Sequence, residues 1–384
     1  MFALAGLYAG AGMAGLAFSA LSLPLPWMIG PLVVSGLLTV TDTLSVRVPI
    51  QMRPFGQITV ATFVGAHFTP AAFHSLLQTA PILVFVSLYI VAISVAVSLV
   101  QRRVYGTDGV TAFLSVVPTS PVEAGVLAEH HGVAPAPVIF AQTMRIALVV
   151  TIFPMMLYLS GDASAVLSQP DVHHGVVAFC VTLAGAIVGP ILFKALRLNN
   201  PFFLGPLFMA ATLSALGQPA FDIPRPMLAL AQVVLGTWLG SCFTRRTFTE
   251  RKNLVSSVFI TSVMLLVLSV FGAWLASHIL DTAFSTMVLG FAPGGTTEMA
   301  LTAGILGQDV ALVTAMHLAR IFVIMLIYNG LHGSPTAVLA IKAPPDASQT
   351  EIGDFPCPVL LKASRSSTPP MFWPVPSPLT NLRY

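Results

Sequence analysis

Charged residues are scarce in this sequence. Of its 384 residues only 17 are Lys or Arg and 14 Asp or Glu, 8% together, against about 25% in an average soluble domain. So few charges cannot cover the aqueous surface of a 40.5 kDa globule, which excludes a soluble enzyme, a disordered chain and a nucleic-acid-binding domain. Cysteine is scarcer still: Cys180, Cys242 and Cys357 fit no disulfide or metal spacing. There is no Walker A sequence, no GxGxxG opening a βαβ unit, no GxSxG and no HExxH, so nothing supports ATP-driven transport or soluble-type hydrolysis. Hydrophobic residues make up 56% of the chain and mean hydropathy is +0.88. The expected class is an all-α polytopic membrane protein whose first partner is the lipid bilayer.

Basic residues are absent before Arg47, so the apolar N-terminus reads as a retained membrane helix rather than a cleaved signal peptide. Further apolar stretches fall near 26–41, 55–72, 81–101, 110–128 and 135–159, and then near 176–196, 201–217, 227–244, 254–278, 284–306 and 310–331. Residues 335–384 differ, with ten prolines, scattered charges and no periodicity. They read as a Pro-rich, disordered tail.

Laid on itself in one constant register, the first half of the sequence superposes on the second without a gap. Pro26-Trp27-Met28-Ile29-Gly30-Pro31 falls on Pro201-Phe202-Phe203-Leu204-Gly205-Pro206. Gln57 falls on Gln232, Gly65 on Gly240, Glu123 on Glu298 and Arg145 on Arg320. Apolar matches mean little in so apolar a chain, but the rare Glu, Gln and Arg also match in the same register. The expected organisation is a tandem duplication: a first repeat over 1–159, a second over 176–334, then the tail. Loop charges suggest how the copies sit. Arg47, Arg53, Arg102 and Arg103 follow the second and fourth segments of the first copy, whereas Lys194, Arg197, Arg245, Arg246, Arg251 and Lys252 follow the first and third of the second, with Arg225 as the exception. If positive loops stay cytoplasmic, the copies are inverted and each crosses the membrane an odd number of times. About five crossings per copy, one broken or re-entrant segment in each, and both termini cytoplasmic satisfy this pattern.

The fifth segment of each copy is the candidate for the break. It reads Pro118-Thr119-Ser120-Pro121-Val122-Glu123 in the first and Pro293-Gly294-Gly295-Thr296-Thr297-Glu298 in the second. Pro and Gly interrupt a helical ladder and free backbone groups, which survive at membrane depth only where protein or a water-filled cavity surrounds them. Further along each copy, Arg145 and Arg320 each stand in an apolar helix, with Gln142 or His317 three positions earlier on the same face. Ionisable groups at this depth are costly and tend to be paired and functional. Two readings remain: Glu123–Arg145 and Glu298–Arg320 as ion pairs locking each half, or all four lining a central site. The neighbouring hydroxyls favour the second. The expected substrate- or ion-binding set is therefore Thr119, Ser120, Glu123, Arg145, Thr296, Thr297, Glu298 and Arg320, with Gln57, Gln232, Gln142 and His317 as further lining candidates.

With these motifs identified, the chain resembles the membrane AbrB family, a family of polytopic inner-membrane proteins defined by such a duplication. The likeness covers roughly residues 5–331 and rests on WMIGPLVVSGLL with FFLGPLFMAATLSALG, VVPTSPVEAGVLAEHHG with FAPGGTTEMALTAG, and the helices of Arg145 and Arg320. It implies a bacterial inner (plasma) membrane location. The Pro-rich tail departs from the family pattern. Family members carry the labels ammonia monooxygenase and regulator of gene expression. The first is at odds with single, scattered histidines (His67, His278, His317) where a copper site needs a cluster. The second can only be indirect, with no basic soluble domain to bind nucleic acid. The expected function is secondary transport or export of a small metabolite, anionic ones among the candidates, with protons or a cation. It involves no cofactor and no catalytic or metal residues, and a second copy of the chain is a further candidate partner. The alternatives are a membrane sensor that binds a ligand without moving it, and a membrane enzyme.

Overall fold

This computed structural model describes residues 2–43, 48–160, 176–196, 198, 200–217, 223–243 and 245–332. The tail assigned to 335–384, and Arg47 and Arg197, lie outside them. Among the described residues the secondary structure is helical, with no strand. The first half runs α1 (Phe2–Ala20), α2 (Pro26–Val40), α3 (Arg53–Ala66), α4 (Pro70–Gln78), α5 (Ala80–Tyr105), α6 (Gly109–Val116), α7 (Pro121–His130) and α8 (Pro135–Leu159). The second runs α9 (Val176–Ala195), α10 (Pro201–Ala215), α11 (Arg225–Gly240), α12 (Arg245–Glu250), α13 (Lys252–Leu280), α14 (Phe284–Phe291), α15 (Thr296–Ile305) and α16 (Val310–His332).

Local chemistry sets these boundaries. Proline stands in the first turn of α2, α3, α4, α7, α8 and α10, where its fixed φ suits the helix and its missing N–H is not needed. Asp108 caps α6 by accepting from the N–H groups of Val110 and Thr111 at 3.1 and 3.0 Å. The apolar stretch expected at 55–72 is not one helix. Thr69 adopts an extended conformation and accepts from the Ala72 N–H at 3.2 Å, which starts a separate α4. Pro70 opens that helix because proline disfavours helical backbone in the residue before it.

Among the described residues four helices are long and apolar enough to cross a membrane: α5, α8, α13 and residues Ala178–Ala195 of α9. The 26 residues of α5 and 29 of α13 reach about 39 and 43 Å, beyond the roughly 30 Å of hydrocarbon. Their positions differ. Of the α8 span 72% is buried inside the protein, against 22% for α9, so α8 is a core helix and α9 a peripheral one. The fold is thus an all-helical body with the lengths and apolar surface of a polytopic membrane protein.

Helix bounds recur across the two halves. In the register that pairs Glu123 with Glu298, α6 and α14 begin and end at matching positions. So do α7 and α15. Packing recurs as well, and it interleaves the halves: α2 lies on α11 and α10 lies on α3. A methyl group on Gly65 would meet Ala210 Cβ at 2.6 Å and Leu207 O at 2.7 Å. One on Gly240, its counterpart, would meet the backbone and hydroxyl of Leu32, Ser35 and Gly36, which the same register pairs with Leu207, Ala210 and Ala211. Such close helix approach is available only to glycine. Gly65→Ala and Gly240→Ala should each lower stability by about 1–3 kcal/mol through overpacking, read as a lower thermal midpoint in detergent. Gly10→Ala, with nothing within 4 Å of the added carbon, should not lower it.

Candidate functional site

Each interrupted helix ends in carbonyls that have no partner one turn on. α6 stops at Val116 and α7 begins at Pro121, while α14 stops at Phe291 and α15 begins at Thr296. In the first break Gln142, from α8, donates from Nε2 to Leu114 O at 2.6 Å and Val117 O at 2.8 Å. Arg145, one turn further along α8, donates from Nη1 to Ser115 O at 3.2 Å and Val116 O at 2.8 Å. Its Nη2 donates to Gln142 Oε1. In the second break Arg320, from α16, donates to Ala292 O at 2.8 Å and Gly294 O at 3.0 Å. Its Nη2 also donates to His317 Nδ1 at 3.0 Å. That leaves the imidazole hydrogen on Nε2, where Leu289 O accepts it at 2.9 Å. Both arginines are 2% exposed.

The ion-pair reading of Glu123–Arg145 and Glu298–Arg320 does not describe this arrangement. The partners of both guanidinium groups are backbone carbonyls and the amide or imidazole three residues earlier. One of these bonds crosses between the halves: Arg145 Nε donates to Pro293 O at 2.8 Å. The glutamates have another local role. Glu123 and Glu298 are the third residues of α7 and α15, after the caps Ser120 and Gly295. The Glu123 carboxylate lies against the Ser120 backbone N–H. A Cβ on Gly295 would collide with the Glu298 carboxylate. Each carboxylate therefore folds back over the N-terminus of its own half-helix, as in a capping box.

These two N-termini face one small cavity of about 60 Å³, room for about four waters. Of the sequence-predicted residues, Thr119, Ser120, Glu123, Thr296, Thr297, Glu298 and Arg320 line it. Arg145, Gln142 and His317 stand behind it on the carbonyls just described. Gln57 reaches the cavity indirectly, donating from Nε2 at 3.1 Å to Asn200 Oδ1, and Asn200 is a lining residue. Gln232, its counterpart in the second half, has Leu25 at the position matching Asn200, and its buried Oε1 has no partner.

Sequence reasoning missed Arg53, Asn200 and Trp238, all of which line the cavity. Arg53 reads as a loop charge. In the structure it opens α3 and places its guanidinium carbon 4.3 Å from the ring centre of Trp238 on α11, a cation–π contact. These partners come from opposite halves of the chain, so no local signal joins them. The cavity thus holds two arginines, two glutamates and two half-helix N-termini, each N-terminus worth about half a positive charge. Among the described residues no three His, Cys, Asp or Glu side chains come together as metal ligands do.

A family profile described as Transition state regulatory protein AbrB matches residues 27–332, and both breaks and every lining residue fall within it. The chain belongs to the AbrB family. An Escherichia coli (strain K12) relative whose provisional name is regulator AbrB is 24% identical over 315 residues, covering 80% of this chain and 89% of its own length. An uncharacterized Bacillus subtilis (strain 168) protein, YhjN, is 27% identical over 249 residues, covering 59% of this chain and 64% of its own.

For this AbrB-family fold the weight of the site rests on Arg145. Arg145→Met should strand three buried carbonyls and lower stability by about 3 kcal/mol or more. Glu298→Gln, which keeps the side chain's size at a helix cap, should lower it by about 1 kcal/mol or less. Thermal unfolding of the two variants in detergent checks the order.

Proposed function

We propose that this AbrB-family chain is a secondary transporter of a small solute in the bacterial inner membrane, built from two inverted repeats of about five crossings each, with both termini cytoplasmic. The observation that carries the reading is the meeting of two interrupted helices, one from each half, at a single cavity. Broken helices at the interface of inverted repeats are the way many secondary transporters hold a solute and a coupling ion near the membrane midplane. The recurrence of helix bounds and of the Gly65 and Gly240 contacts supports the repeat. The breaks supply polar groups in an otherwise apolar body, and Glu123 and Glu298 are suited to carry protons or a cation against Arg53 and Arg320. Thr119, Ser120, Thr296 and Thr297 contribute small donors and acceptors beside them. No enzymatic step is part of this reading, and its partners are the bilayer, the solute and the coupling ion. A second copy of the chain remains a partner to test by oligomeric state.

A second reading follows from the Escherichia coli relative, whose name says regulator: a membrane sensor that binds the solute, moves none and acts on gene expression indirectly. Flux separates the two. Purified protein in sealed vesicles should move protons or solute down an imposed gradient, followed with an internal pH dye while small metabolites are varied outside. The Glu123→Gln/Glu298→Gln double variant should lose coupled proton movement while remaining folded. Solute binding without any flux from the wild type would favour the sensor.

A further inference from the structure

Buried side-chain donors without a partner stand at the cavity. Eight of the carbonyls around the breaks already accept from protein donors: Leu114, Ser115, Val116 and Val117 in the first, and Leu289, Ala292, Pro293 and Gly294 in the second. Three lining residues instead carry buried polar atoms without a partner. Arg320 Nε and Trp238 Nε1 can only donate, and Thr119 Oγ1 can donate or accept. Arg320 is 2% exposed and Trp238 3%. A buried donor left unmade is costly, and these three border the space faced by the N-termini of α7 and α15, which favour negative charge.

We propose that the cavity is an anion site. It takes a small carboxylate or inorganic oxyanion of about four heavy atoms, a size set by its 60 Å³, on the Trp238 indole N–H, the Thr119 hydroxyl and the Arg320 Nε–H between the two half-helix N-termini. The inference deepens the transport reading and rests on it for what happens to the anion after binding. The titratable groups facing the cavity are Glu123, Glu298, Arg53 and Arg320, while Arg145 and His317 stand behind it, engaged on carbonyls. With both carboxylates ionised the side-chain charges cancel, and an added anion would be an unbalanced charge in a poorly solvated space. Each carboxylate also occupies the helix N-terminus that the anion needs. A proton on Glu123 or Glu298 removes both obstacles, so the anion and one proton enter together.

Calorimetric titration of the full chain in detergent tests this. Acetate, nitrate and phosphate would be compared with ammonium and choline chloride at constant ionic strength. Acetate or nitrate should bind, and the preferred one tells carboxylate from inorganic oxyanion. Trp238→Phe should weaken that binding about tenfold or more, the loss of a hydrogen bond to a charged group, while Trp274→Phe, an exposed ring on α13, should leave it unchanged. In weakly buffered solution the wild type should take up close to one proton per anion bound, a readout that needs no variant. Binding by ammonium or choline alone, anion binding untouched by Trp238→Phe, or no proton uptake would overturn the proposal. Anion binding without flux in vesicles would leave it standing and remove transport; cation flux without anion binding would do the reverse.

Discussion

A helix interrupted inside an apolar body leaves carbonyls with neither water nor a next turn to accept from. The cost of leaving them unpaired governs the centre of this protein. α8 and α16 answer it with one arginine each, placed a single turn after Gln142 or His317, so that a fork of donors meets a fan of acceptors. α8 is the most buried of the four candidate spans among the described residues. Its guanidinium reaches both breaks.

The two breaks are satisfied by different chemistry. In the first, an amide and a guanidinium share four carbonyls of one half and then reach Pro293 in the other. In the second, an imidazole takes one carbonyl and Arg320 stays within its own half. The atom of Arg320 matching the one that crosses from Arg145 is left without a partner. The halves therefore share a scaffold without sharing a site, and the cavity between them is polar in an unequal way. That inequality singles out Arg320, rather than Arg145, as the arginine with capacity left for something else.

Much of the scaffold is legible in the sequence. Pro118, Pro121, Pro293 and the pair Gly294-Gly295 mark the two breaks directly, because proline and glycine act on their own backbone. The match of Gly65 with Gly240 likewise anticipates two equivalent close crossings. The single stretch read at 55–72 fails at Thr69-Pro70, where a capped helix start looks as apolar as a continuing helix. The ion-pair reading of the glutamates and arginines fails for a different reason. Opposite charges at matching spacing are equally suited to pair with each other or with backbone groups. Sequence carries no record of the carbonyls a break sets free.

By itself, the sequence pointed to a membrane class, to a register that pairs its two halves and to the places where helices stop. Scarce charge, shared rare residues and helix breakers are properties of composition and local backbone. Only the tertiary structure decided what the buried arginines hold, that Arg53 and Trp238 join the cavity, and which donors remain unspent there. Those outcomes depend on contacts between the halves, such as that of Arg145 with Pro293. Which side chains such packing brings together is decided when the interleaved helices close.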